Sequence, residues 1–69
     1  MTTRPELIAA LQAKGFTHDP EYIGPVALVA PCGTRRAILA ERAVMWEERI
    51  QFDSGRGYWR HQHTERYAP

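Results

Sequence analysis

In RPELIAALQAK, residues 4–14, apolar side chains recur at Leu7, Ile8 and Leu11, the spacing of one stripe along a helix. Thr3 and Glu6 stand at capping-box distance, and Pro5 fits only a first helical turn. Ala9, Ala10 and Ala13 favour helix. Gly15 suits the left-handed position after the last turn, from which Phe16 can fold back on Leu11. A helix over 4–14 is predicted.

The period is lost in THDPEYIGP, residues 17–25, where Asp19-Pro20 and Gly24-Pro25 oppose regular structure. A loop is expected there, pinned to the core by Tyr22 and Ile23. Beyond it, Val26–Ala30 and Arg35–Ala40 read as strands joined by a type I turn at Ala30-Pro31-Cys32-Gly33. A second hairpin turns at Asp53-Ser54-Gly55. Val44, Trp46, Ile50 and Phe52 share one face of its incoming strand, and Glu48 interrupts the alternation. These patterns predict an α+β fold, the helix packed on a four-stranded antiparallel meander, with residues 1–69 forming a single domain. RRAILAERAVMWEERI supports a rival. It contains no glycine, proline or asparagine, it places Leu39, Ala43, Trp46 and Ile50 at helical spacing, and Ala40 to Val44 holds no conventional turn. A second helix over about 35–49 would leave a three-stranded sheet. The two glycine turns favour the meander, with more strand than helix.

Composition narrows the function. Sixty-nine residues with 43% hydrophobic content suit one small globular domain. Nine basic residues, eight of them arginine, face eight acidic ones for a net charge of +1. That balance argues against a polybasic nucleic-acid binder and against an acidic imitation of DNA. One cysteine, Cys32, forbids an internal disulfide and suits a reducing compartment. Neither a signal-peptide pattern nor a membrane-length apolar run is found, so a cytoplasmic protein is expected.

Candidate chemistry is thin. His61 and His63, two apart on a strand, are expected on one face, but zinc commonly takes three or four protein ligands. His18 and Cys32 stand at no finger-like spacing from them, and no metal is expected. Cys32 at a turn tip lacks the base and the walled site a catalytic thiol needs. Ser54 also falls in a turn, and Glu47 and Glu48 would point apart. The glycines of GRG at 55–57 belong to no phosphate-binding pattern. A non-enzymatic protein without cofactor is expected.

What remains is FDSGRGYWRHQHTERY, residues 52–67, where arginines alternate with rings. Arg56, Trp59, Arg60, His61, His63 and Arg66 are the candidate partner-binding residues. If Phe52 and Tyr58 face the core, Trp59 points outward beside the histidines. In the opposite phase, Trp59 is core and Tyr58 is outward. Two functions fit: a module that covers a surface on a larger protein or ribonucleoprotein complex, or a small nucleic-acid binder that stacks bases on its rings. In size and architecture the chain resembles small phage-encoded inhibitors of the anti-CRISPR type. The resemblance implies binding to a CRISPR effector complex that blocks DNA recognition or cleavage; it carries no motif and transfers no site residue. A membrane partner is not expected, and the protein is expected to be a monomer or weak homodimer.

Overall fold

A computed structural model describes residues 2–68. Helix α1 (Arg4–Ala13) is followed by five strands: β1 (Thr17–His18), β2 (Val26–Val29), β3 (Arg35–Leu39), β4 (Ala43–Gln51) and β5 (Gly57–Arg66). The strands form one antiparallel sheet in sequence order, an open meander. The α+β class and the N-terminal helix agree with the sequence reading. The count of four strands does not, because residues 17 and 18, expected in a loop, pair with Val29 and Leu28.

The helix ends follow from their residues. The Thr3 hydroxyl accepts from the Glu6 amide at 3.4 Å and donates to its carboxylate at 2.7 Å. At the other end, Phe16 N donates to Leu11 O and Gly15 N to Gln12 O, a Schellman closure that Gly15 permits with φ of 94°. Leu7, Ile8, Leu11 and Phe16 then pack on Leu28, Ala37, Leu39 and Val44, which form the core with Val26, Trp46 and Tyr67 at its margin.

Both glycine turns form where the sequence placed them. Gly33 N donates to Ala30 O, and Gly55 N donates to Phe52 O, each glycine holding a positive φ. The rival helix over 35–49 does not form: its residues are β3, the connection Ala40–Arg42, and β4. That connection contains no residue with positive φ. It is held from outside, because Arg4 donates to Leu39 O at 3.2 Å and the Tyr67 hydroxyl donates to Ala40 O at 2.9 Å. β3 is central and buried on both faces from Arg36 to Leu39, so burial overrides the helix propensity of its residues.

β4 and β5 are longer than the rest of the sheet. A ten-residue helix reaches about 15 Å, while a nine-residue strand reaches about 30 Å. α1 therefore covers Val44 and Trp46 and leaves the outer half of the β4–β5 hairpin bare. The molecule is accordingly elongated, 43 × 21 × 20 Å.

Candidate interaction surface on the last hairpin

β5 runs in two phases. Trp46 pairs with His63 but Glu47 pairs with His61, so Gln62 is an extra residue, a one-residue bulge. Up to the bulge, Tyr58 and Arg60 share the helix side of the sheet, while Trp59 and His61 take the opposite side. Past it the parity inverts. His63 stacks on Trp46 on the helix side, with ring centroids 6.2 Å apart. Thr64, on the opposite side, lies 3.1 Å from His61 Nε2. The expectation that His61 and His63 share a face is therefore wrong: the bulge separates them across the sheet. Among the described residues no group of three or more His, Cys, Asp or Glu is placed to hold a metal.

Phe52 and Tyr58 do share a face with Ile50, as the alternation required, but not one that is buried. Their rings pack together at 5.9 Å and stay 56% and 48% exposed, because this stretch lies beyond the reach of α1. Trp59 is the half-buried ring, on the side away from the helix. It covers Arg36, whose guanidinium carbon lies 4.5 Å from the Trp59 ring centre and 5.0 Å from that of Tyr22. Arg36 donates to Glu47 Oε1 through Nε at 2.9 Å and Nη2 at 2.5 Å, and to Asp19 Oδ2 through Nη1 at 3.0 Å. A buried arginine is thus charge-paired by β4 and the β1–β2 connection, and roofed by rings from that same connection and from β5. The Trp59 face is a structural lock. Tyr22 anchors its loop through this lock, as expected of it, whereas Ile23 is 95% exposed and anchors nothing.

The six residues singled out in the sequence do not form one patch. Arg56 is exposed in the turn; Arg60 and His63 lie on the helix side; Trp59 and His61 lie on the opposite side; Arg66 ends β5 at the far end, across from Ala43. Arg60 and Gln62 both donate to Glu48, at 3.1 and 2.7 Å, which accounts for the polar break at Glu48 in the apolar alternation of β4. The pair missed by sequence reasoning is Phe52 and Tyr58. Alternation leaves their phase open, and a comparison of helix and strand lengths shows that in either phase they lie beyond the cover of α1.

Elsewhere the chemistry is sparse. Cys32 is exposed at its turn, its Sγ 3.0 Å from Thr34 Oγ1, and this hydrogen bond holds the thiol below its ordinary pKa. A cavity of about 200 Å³ opens between Leu7, Val44 and Tyr67, rimmed by Thr2, Glu65 and Arg66, without a thiol or imidazole in its wall. Trp46 Nε1 is buried with no hydrogen-bond partner among the described residues, and its ring has the Arg35 guanidinium 5.2 Å from its centre and the His63 ring stacked on it. Among the described residues no helix is long and apolar enough to cross a membrane. No family model matches the chain, and no curated protein or solved structure matches it.

Proposed function

We propose that the protein is a non-catalytic interaction module that docks on a larger protein or ribonucleoprotein partner through the outer half of its last hairpin. The observation that carries this is the exposed Phe52–Tyr58 pair at the end of a projecting arm, between Arg56 and Arg60. Two bulky rings left in water are unfavourable for a protein this small, and aromatic and arginine side chains are where interfaces concentrate binding energy. Contacts on such a tip leave the Arg36 lock and the helix-side core untouched. Inhibition of a CRISPR effector complex is the specific form suggested by the resemblance in size and architecture. On that reading the tip would obstruct DNA recognition or cleavage.

A second reading keeps the same residues: single-stranded nucleic acid stacked on Phe52 and Tyr58, with Arg56 and Arg60 on its phosphates. The net charge of +1 weighs against it. One experiment separates the two. The wild type and Phe52→Ala/Tyr58→Ala are immobilised and exposed to host lysate with and without nuclease. The module reading expects one nuclease-resistant partner that the variant fails to retain, at a loss of about 2 kcal/mol per ring removed. Recovery of many proteins together, abolished by nuclease, supports the second reading, and equal recovery by the two proteins removes the tip from both.

A further inference from the structure

The two edges of the sheet are treated differently. β1 is two residues long and offers almost nothing to a neighbouring strand. β5 is ten residues long, lacks proline and lysine, and is exposed along most of its outer side. An unpaired edge of that length is a template for another strand.

The sequence of β5 identifies that strand. Two copies joined edge to edge about a two-fold axis run antiparallel and keep the same face up, so paired residues must come from the same face. A regular strand then pairs residues of equal parity. The bulge at Gln62 inverts parity halfway, so no equal-parity register keeps its faces matched along the whole strand. One register does: positions whose numbers sum to 125. It sets Arg60 against Glu65 of the second copy on the helix side, and Gln62 against His63. On the opposite side it sets His61 against Thr64 and Trp59 against Arg66. Each pairing occurs twice. Two ion pairs and two arginine–tryptophan contacts result, and the two bulges fall opposite each other at the axis.

Arg60 and Glu65 are free to exchange partners, their side chains being 57% and 61% exposed and their present partners, Glu48 and His63, lying on their own chain. We propose that β5 pairs with β5 of a second copy in this register, joining two five-stranded sheets into one ten-stranded sheet. The union consumes the long edge of both copies and leaves only the two β1 edges, so it closes at two. It places the Phe52–Tyr58 tips at opposite ends of the dimer.

Sedimentation equilibrium across a concentration series tests the association, and a cysteine cross-link tests the register. A reversible dimer is expected. Glu65→Arg, which would face Arg60 of the second copy at both ends of the axis, should weaken it by about tenfold or more, with an unchanged melting curve at concentrations where both proteins are monomeric. In a Cys32→Ser background, Gln62→Cys should oxidise rapidly to a covalent dimer, because the two copies of position 62 lie one residue apart along neighbouring strands. Tyr58→Cys should not, its two copies lying about 30 Å apart. A protein that stays monomeric, a dimer indifferent to Glu65→Arg, or cross-linking at 58 in preference to 62 would each overturn the proposal.

Discussion

Arg36 and Trp59, on strands that are not neighbours, meet face to face: the guanidinium carbon of one lies 4.5 Å from the ring centre of the other. The strand between them contributes Glu47, which accepts from two nitrogens of the same guanidinium. Because Asp19 and Glu47 are both mostly buried, removing the arginine strands two carboxylates. Arg36→Ala is expected to destabilise the fold by about 3 kcal/mol, and Trp59→Ala by about 1–2 kcal/mol. Arg36→Lys should fall near the alanine variant, since an ammonium cannot serve both carboxylates in a planar fork. Urea unfolding of the three variants checks the order; a Trp59→Ala midpoint equal to wild type would place the ring outside the lock.

Gly57 is a close-approach glycine. A Cβ built there would stand 2.2 Å from Ile50 O and 3.1 Å from Gln51 Cα, both backbone atoms that no rotamer change can clear. Gly57→Ala should therefore open the first rung after the turn, at a cost of about 1–3 kcal/mol. The damage should be local. Amide exchange is expected to accelerate between Gln51 and Trp59 while Ala37–Leu39 stay protected, because those residues are buried in the central strand and pair with the other end of β4. Uniform acceleration would mean that the tip and core unfold as one unit.

Local signals in this sequence were legible, and long-range ones were not. Thr3, Pro5, Gly15, Pro31, Gly33 and Gly55 each constrain only their own neighbours, and the helix and strand ends they mark fall within one residue of the expected bounds. The Ala40–Arg42 connection was silent because its carbonyl partners, Arg4 and Tyr67, are supplied by opposite ends of the chain. The bulge was silent for a similar reason. Nothing in RHQHTER distinguishes Gln62, and the shift exists only as a mismatch with β4. One inserted residue was enough to undo the His61–His63 pairing. The phase of Trp59 was undecidable until Arg36, 23 positions earlier, was known to lie beneath it.

Cys32 should be dispensable for folding and yet modifiable. Its thiol is exposed, and the contact with Thr34 favours the thiolate. Cys32→Ser is expected to leave the melting temperature unchanged. Thr34→Val should slow alkylation of Cys32 by iodoacetamide near neutral pH, because removing the hydroxyl lets the thiol pKa rise. An unchanged rate would show that the hydrogen bond does not persist in solution.

Tyr67 ties the chain's last strand to the β3–β4 connection, and its chemistry predicts how stability falls in alkali. Burial raises its pKa above the ordinary value of 10.0, against the opposing influence of Arg4. In the folded protein the phenol is the donor to Ala40 O, a bond that phenolate cannot make. The unfolded chain therefore releases this proton at lower pH than the folded one. The contribution is complete below pH 10.0 and is lost as pH climbs from there through the raised folded value. Tyr67→Phe removes both the bond and its titration. The variant should be less stable than wild type at neutral pH, by about 1 kcal/mol, and the gap should narrow above pH 10 because only the wild type still has a proton to lose. Unfolding free energies of the two proteins, measured side by side from pH 7 to 11, give the difference directly, cancelling the other tyrosines, Cys32 and Lys14. A gap that stays constant with pH would show that the Tyr67 hydroxyl titrates alike in the folded and unfolded chains, and that the bond to Ala40 does not hold the connection.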